Sequence, residues 1–423
     1  MNIKITKTTY EEVMALPTEP HKKPKKPNMF FRTLMKVIAQ PGLWGAKFKC
    51  TKIGMEELGK KEPCLYLMNH SSFIDFEVVA DILYPRPFNI VASTDAFVGK
   101  EWLMRQIGCF PTKKFVLDLG LIRDMKYVVK DLKSSVVMFP EAGYSLDGTA
   151  TVIPDSLGGL VKLLGVPVVM IRTHGAFLRQ PVYNNLQKRN VPVSADMKFL
   201  LSKEEIDKKS ADEINQILQD EFTIDYFRWQ QDNNLEIKEP FRADLLNRAL
   251  YKCPHCLAEG KMLGKGTKLT CTQCGKEYEL DTLGRLSATD GDTRFDHIPD
   301  WFAWERQCVR EEIENGSYCF DAPVHIFMSN DTKHIYDIGK GHLTHTAEGF
   351  KLVGNGLEYS QNPQASYSVC ADFYWYEIAD VVCVGNNKGL FYCVPRIEGD
   401  VVAKLRLAAE ELYKIYKSSK PRK

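Results

Sequence analysis

Residues 64–75 read Cys64-Leu65-Tyr66-Leu67-Met68-Asn69-His70-Ser71-Ser72-Phe73-Ile74-Asp75, and the change of pattern within them sets the architecture of the first half of the chain. Cys64 to Met68 is a short apolar run bounded by Pro63 and Asn69, the signature of a buried strand. Beyond it Phe73, Phe76, Val79, Ala80 and Leu83 recur at helical spacing, with Ser71 or Ser72 available as the cap. His70 therefore falls where a strand gives way to a helix, a place where α/β folds carry catalytic groups. The unperturbed pKa of histidine suits it to move protons near neutrality. A carboxylate nearby can fix its tautomer and steady the imidazolium that forms. A neighbouring His and Asp also make ordinary capping pairs, so the pair alone leaves both readings open.

The pair has company. Asn69 to Asp75 resembles the N-H-x-S-x-x-D block of the glycerolipid (lysophospholipid) acyltransferases, and three further blocks follow in that family's order. Gly108-Cys109-Phe110-Pro111-Thr112-Lys113-Lys114 resembles the second block, which ends in a basic residue. Phe139-Pro140-Glu141 resembles the opening of the third, usually F-P-E-G-T-R-S, and Gly165-Val166-Pro167-Val168-Val169 resembles the fourth, a strand carrying a proline. The resemblance implies an α/β acyltransferase domain over residues 28–235. Its reaction would move a fatty acyl group from an acyl thioester, carried by coenzyme A or acyl carrier protein, to a hydroxyl of a lysophospholipid or glycerol-phosphate lipid. It implies His70 as general base and Asp75 as the residue that orients it. Asn69, Ser72, Lys113, Lys114 and Glu141 are then expected at the substrate, and Pro167 in a wall of the acyl site.

One position departs from the pattern. After Phe-Pro-Glu the family has Gly-Thr-Arg-Ser, whereas this chain has Ala142-Gly143-Tyr144-Ser145. Tyr144 cannot grip phosphate with the bidentate charged contact of arginine, which leaves Lys114, Arg172 and Arg179 to compensate. Two other readings compete with acyl transfer. Gly143-Tyr144-Ser145 begins like the nucleophile elbow of a serine hydrolase, but Asp147 stands where the elbow needs glycine. An inactive scaffold acting through its later domains is opposed by the retained His70, Asp75 and Glu141.

The chain has 423 residues, more than one core usually serves, so two or three domains are expected. Apolar residues make up 44% and charged residues 26%, ordinary values for a soluble globular protein. Net charge is +2 but unevenly spread: residues 1–60 hold twelve Lys/Arg against five Asp/Glu. Residues 1–27 read as a solvated basic tail ending in His21-Lys22-Lys23-Pro24-Lys25-Lys26-Pro27, and Lys420, Arg422 and Lys423 add positive charge at the other terminus. Phe30, Phe31, Leu34, Val37 and Ile38 then form an apolar helical face. That face either packs on the domain or lies on an anionic membrane surface, and the family resemblance favours the membrane. No run reaches the roughly 18 apolar residues of a membrane span, and no signal-peptide core is evident. The expectation is a cytoplasmic protein, peripheral to the inner face of the membrane.

Of twelve cysteines, four form two C-x-x-C knuckles, Cys253–Cys256 and Cys271–Cys274, separated by fourteen residues. Two knuckles supply the four thiolates of a closed tetrahedral site, so residues 251–282 resemble a zinc ribbon with structural zinc. Its loop carries Lys261, Lys265 and Lys268 without an arginine cluster or interleaved aromatics, and no nucleic-acid partner is expected. Residues 236–250 read as a connecting helix and 283–310 as a linker with a helix around Trp301. Residues 311–423 read as many short strands closed by a helix with Val401, Leu405, Ala408, Leu412 and Ile415 on one face, resembling a pleckstrin-homology-like barrel. Residues 315–400 hold five Lys/Arg against ten Asp/Glu, a poor balance for binding anionic lipid there.

Overall fold

In the computed structural model the described residues are 3–17 and 19–418, so the basic cluster expected at Lys420–Lys423 lies outside them. The first half is built on a seven-stranded sheet in the order Lys49–Ile53, Ser194–Leu201, Val168–His174, Leu65–Met68, Ser135–Met138, Phe88–Ser93, Cys109–Thr112. The last five of these run parallel, while Ser194–Leu201 pairs antiparallel to Val168–His174 and parallel to Lys49–Ile53. Leu65, Tyr66, Leu67 and Met68 are all fully buried, as expected where helices cover both faces of a parallel sheet. The apolar run therefore became a central strand, and the helix Ile74–Ile82 follows it directly.

The cysteine knuckles sit in a four-stranded antiparallel sheet, Met262–Lys265, Lys268–Cys271, Glu277–Leu280 and Leu286–Ala288. This sheet extends past residue 282, because Tyr278 to Leu280 pairs with Leu286 to Ala288. Residues 236–250 are not a connecting helix. They form turns and one 3-10 turn, Leu246–Arg248, just before which the Ala243 and Leu245 N–H groups donate to the Gly266 and Gly264 carbonyls of the cysteine-bearing sheet.

The long helix Ile298–Glu314 crosses the boundary expected at residue 311 and welds the later parts together. Trp301 on it is fully buried, stacks edge-on to Tyr278 at 4.9 Å, and donates from Nε1 to the Lys252 carbonyl at 3.0 Å. On its other side Arg306 pairs with Glu410 at 2.7 Å and Glu411 at 3.1 Å on the final helix, Val402–Ser418.

The C-terminal sheet is two antiparallel meanders. Phe320–Ser329, Ile335–Thr346, Gly349–Gly354 and Leu357–Gln361 form one; Cys370–Trp375, Ala379–Asn386 and Gly389–Pro395 form the other. They join through pairing of Phe320–Ser329 with Gly389–Pro395, and the final helix packs on Cys370–Trp375. The sheet order runs as an open path from Leu357–Gln361 to Cys370–Trp375, whereas a closed barrel was expected.

The N-terminal segment departs most from expectation. Ile5–Lys7 adds a parallel strand to Ile335–Thr346, and the helix Tyr10–Met14 buries Val13. Residues 21–26 are strapped along the first domain: His21 meets Asp124 at 2.9 Å, Lys22 meets Glu101 at 2.8 Å, and Lys26 donates to the Leu132 carbonyl. A basic composition reads as a solvated tail only when its counter-charges are far away in sequence, as Glu101 and Asp124 are.

Candidate active site

Parallel strands bring the motif blocks to one edge. His70 follows Leu65–Met68, Glu141 follows Ser135–Met138, Asp95 follows Phe88–Ser93, and Lys113 and Lys114 follow Cys109–Thr112. All four strands end on the same side of the sheet, where open α/β folds form their crevice. Pro167 lies elsewhere. It precedes the strand Val168–His174, whose first residue pairs with Leu65, so it sits at the opposite sheet edge, about 20 Å of strand from His70. Pro167 does not adjoin His70, and its carbonyl accepts the Leu65 N–H at 2.9 Å.

His70 Nδ1 lies 3.0 Å from Asp75 Oδ2, and the same oxygen accepts the backbone N–H groups of Ser71 at 2.7 Å and Ser72 at 3.1 Å. An ionised carboxylate only accepts, so Nδ1 carries the hydrogen and Nε2 keeps its lone pair. The cap differs from expectation. Phe73 occupies the N-cap position with no side-chain bond, and the Asp75 carboxylate instead accepts the backbone N–H groups of Ser71 and Ser72 themselves. The pair thus organises both the turn and the imidazole.

Glu141 is buried, and its two oxygens are divided. Oε1 accepts the His70 backbone N–H at 3.1 Å, while Oε2 accepts the Thr151 N–H at 2.9 Å and the Thr151 hydroxyl at 2.8 Å. Burial raises its carboxyl above the usual range, against the pull of these bonds. Both its oxygens are thus taken up, one of them by the backbone of His70. Ala142, next in the chain, has φ +54°, the left-handed region that the family's glycine enters freely.

Asn69 and Ser72 are buried rather than lining an open site. Asn69 bridges two strand ends, accepting the Thr173 N–H at 2.8 Å and donating to the Thr173 carbonyl at 3.2 Å. Its amide also bonds the Tyr226 hydroxyl, which lies 2.7 Å from Ser71 Oγ. Tyr226 went unread in the sequence, because it is 155 residues from Ser71 and no motif surrounds it. Ser145 is 1% exposed and donates to the Thr149 carbonyl at 2.7 Å while accepting the Gly148 N–H. It braces a loop, which removes the hydrolase reading.

The His70 ring lies between Phe139 and Tyr144, with centroids 4.5 Å and 4.4 Å away. The residue that replaces the family arginine therefore walls the base. Arg406, on the final helix, donates to the Tyr144 carbonyl at 3.2 Å and to Glu410 at 3.1 Å. Other contacts bring the C-terminal sheet onto the same edge. Lys113 Nζ donates to the Asn387 carbonyl at 2.5 Å, Asn387 Nδ2 to the Leu117 carbonyl at 3.2 Å, and the Tyr367 hydroxyl to the Pro140 carbonyl at 3.3 Å. Burial lowers the Lys113 pKa. The cations expected to compensate for Tyr144 are engaged: Arg172 binds the carbonyl and carboxylate of Glu221, and Arg179 binds the carbonyls of Arg189, Val191 and Gly45.

The second cluster is Cys253, Cys256, Cys271 and Cys274, whose sulfurs all lie within 4.8 Å of one another. Cys253 to Cys274 is 3.9 Å and Cys256 to Cys271 is 3.6 Å. Tetrahedral zinc–thiolate bonds of about 2.3 Å put sulfurs about 3.8 Å apart, so the four thiols fit a metal ion without rearrangement.

The Acyltransferase family matches residues 49–173, the segment holding His70, Asp75, Lys114 and Glu141. Over 129 residues the chain is 31% identical to a chloroplastic 1-acyl-sn-glycerol-3-phosphate acyltransferase, BAT2, of Brassica napus. That match spans 29% of this chain and 36% of the relative's length. A crystal structure of the 1-acyl-sn-glycerophosphate (LPA) acyltransferase PlsC from Thermotoga maritima is similar at 15% identity and a TM-score of 0.35, over 45% of this chain and 76% of that one. Residues 49–173 are thus similar to the acyltransferase family.

Proposed function

We propose that the chain moves a fatty acyl group from an acyl thioester to a glycerolipid hydroxyl, as a 1-acylglycerol-3-phosphate O-acyltransferase-like enzyme of phospholipid synthesis. The observation that carries this reading is the His70 Nδ1–Asp75 bond at the C-terminal edge of the parallel strands, inside the family-matched segment. In the proposed reaction His70 Nε2 takes the proton of the acceptor hydroxyl as its oxygen attacks the thioester carbonyl. The tetrahedral intermediate collapses, the ester forms, the C–S bond breaks, and the imidazolium returns the proton to the departing thiolate. Asp75 holds the imidazole and offsets its charge, and Glu141 fixes the backbone of the base. General-base assistance of this kind contributes about 10²–10⁴-fold.

The donor is coenzyme A or acyl carrier protein, and the acceptor a lysophospholipid or related lipid alcohol. Contact with the inner face of a membrane would be peripheral. Among the described residues no helix is long and apolar enough to cross one. The helix Met29–Gly45 leaves Phe30 and Trp44 67% and 73% exposed, and Trp102, which meets its Phe31, is 67% exposed; such apolar surface suits the lipid interface. The four thiols would hold a structural zinc, and the two meanders of the C-terminal sheet follow a pleckstrin-homology-like plan. A panel of lysolipid acceptors with both donors, scored by product mass, tests the reading; no acyl product from any combination would refute it.

A further inference from the structure

Residues 139–145 hold the base twice, once by its backbone and once by its ring. Glu141 Oε1 accepts the His70 N–H at 3.1 Å, and the Tyr144 ring lies 4.4 Å from the imidazole, with Phe139 at 4.5 Å. The segment contains no helix or strand, and Gly143 within it borders open space. Its shape therefore depends on what grips it from outside.

That grip comes from the C-terminal sheet and its closing helix. The Tyr367 hydroxyl donates to the Pro140 carbonyl at 3.3 Å, and Arg406 Nη1 donates to the Tyr144 carbonyl at 3.2 Å, so the two contacts flank Glu141. Among the described residues the bond from Arg406 is the one hydrogen bond that Tyr144 makes. Arg406 is 5% exposed, and its planar fork is already aimed. Nε donates to Glu410 Oε1 at 3.1 Å, and Glu410 is held in turn by Ser368 Oγ at 2.8 Å and by Arg306 at 2.7 Å. The network thus points a buried cation at the backbone of the residue that walls the base. A wall displaced by about 1 Å would let the imidazole turn from its working direction, and misplacement on that scale costs about 10²-fold in rate.

We infer that Arg406 is a positioning residue for acyl transfer: from the final helix it fixes the Tyr144 main chain and so sets the aromatic wall against the His70 ring. The inference rests on the acyl-transfer reading and adds the C-terminal helix to its site.

Full-length wild type, Arg406→Gln, Tyr144→Ala and the protein carrying both changes are assayed with acyl-CoA and acyl-ACP on 1-acylglycerol-3-phosphate, or on the lysolipid that wild type prefers. Arg406→Gln should lower kcat about tenfold or more while KM moves much less. Because Arg406 acts through Tyr144, the doubly changed protein should be no slower than Tyr144→Ala alone, whereas independent effects would multiply. An unchanged kcat in folded Arg406→Gln overturns the inference, as do losses that multiply. If Arg406→Gln does not fold, Arg406→Lys replaces it in the same cycle, since lysine keeps a cation beside Glu410 but lacks the fork. Failure of both to fold also overturns it, because Arg406 is then required by the fold and not by the site. A wild type inactive on every lysolipid removes acyl transfer itself, and the inference with it.

Discussion

The Glu141 carboxylate accepts the backbone N–H of His70 at 3.1 Å, so the third motif block holds the first by its main chain. Glu141→Ala would leave the His70 and Thr151 N–H groups buried and unpaired, at about 1–3 kcal/mol each. The expected outcome is a lower unfolding midpoint and a kcat reduced about 10²-fold, with KM changing less. Glu141→Gln, which keeps one acceptor oxygen, should recover much of both. Equal loss in the two variants would mean that the carboxylate charge, not its grip on the backbone, is what matters.

His70→Ala should abolish acyl transfer, a loss of at least about 10²-fold, while the circular dichroism spectrum is retained. Full activity in a folded His70→Ala protein would end the general-base assignment. Ser145→Ala, by contrast, should keep most turnover and lose stability, since its hydroxyl braces the loop at Thr149 and Gly148.

Ala142 holds a backbone conformation that costs an L-residue about 1–2 kcal/mol. Part of this returns as unfolded-state entropy when glycine is introduced, so Ala142→Gly should stabilise the protein by up to ~1 kcal/mol. A thermal melt decides this, and a lower midpoint would show that the turn does not strain alanine.

Elemental analysis of protein purified without chelator should find about one zinc per chain. Cys271→Ser should lose the metal and lower the unfolding midpoint, because Trp301 and the final helix are packed through the same module. Metal-free protein of unchanged stability would contradict a structural role.

Asp372 gives a pH signature. Its folded pKa of about 6 is raised above the unfolded value, so between about pH 4 and 6 the native state binds more protons than the unfolded state. Its contribution to stability therefore falls as pH rises through that window and stays at its least favourable above it. The stability difference between Asp372→Asn and wild type should shift in the variant's favour from pH 4.5 to 7.5. Denaturant midpoints at the two pH values measure the shift, and parallel curves would refute the raised pKa.

The His70–Asp75 turn was legible because its information is local: an apolar run, a turn and a helix period put the two residues together whatever the rest of the chain does. Lys114 and Glu141 were legible as motif members, but their partners were not. Trp375 reaches Asp95 from a strand 280 residues away, and Tyr226 reaches Asn69 from a helix with no motif. The same blindness produced the solvated tail, since the pairing of Lys22 with Glu101 leaves no trace in composition. The proline of the fourth block was placed by analogy, and strand direction puts it at the sheet edge opposite His70. Residues 236–250 failed as a helix because their apolar side chains serve the ribbon rather than a helical stripe.

Ile5 pairs with Ile335, so the first strand made is among the last to find its place. At about 5–20 residues per second, a ribosome needs roughly 15–65 s to deliver the partner strand. During that interval the opening residues stay in contact with water, chaperones and the tunnel exit, and the first domain can form behind them. The C-terminal sheet thus joins segments more than 300 residues apart: a chain cut before Ile335 would keep the His70–Asp75 turn but leave Ile5–Lys7 unpaired.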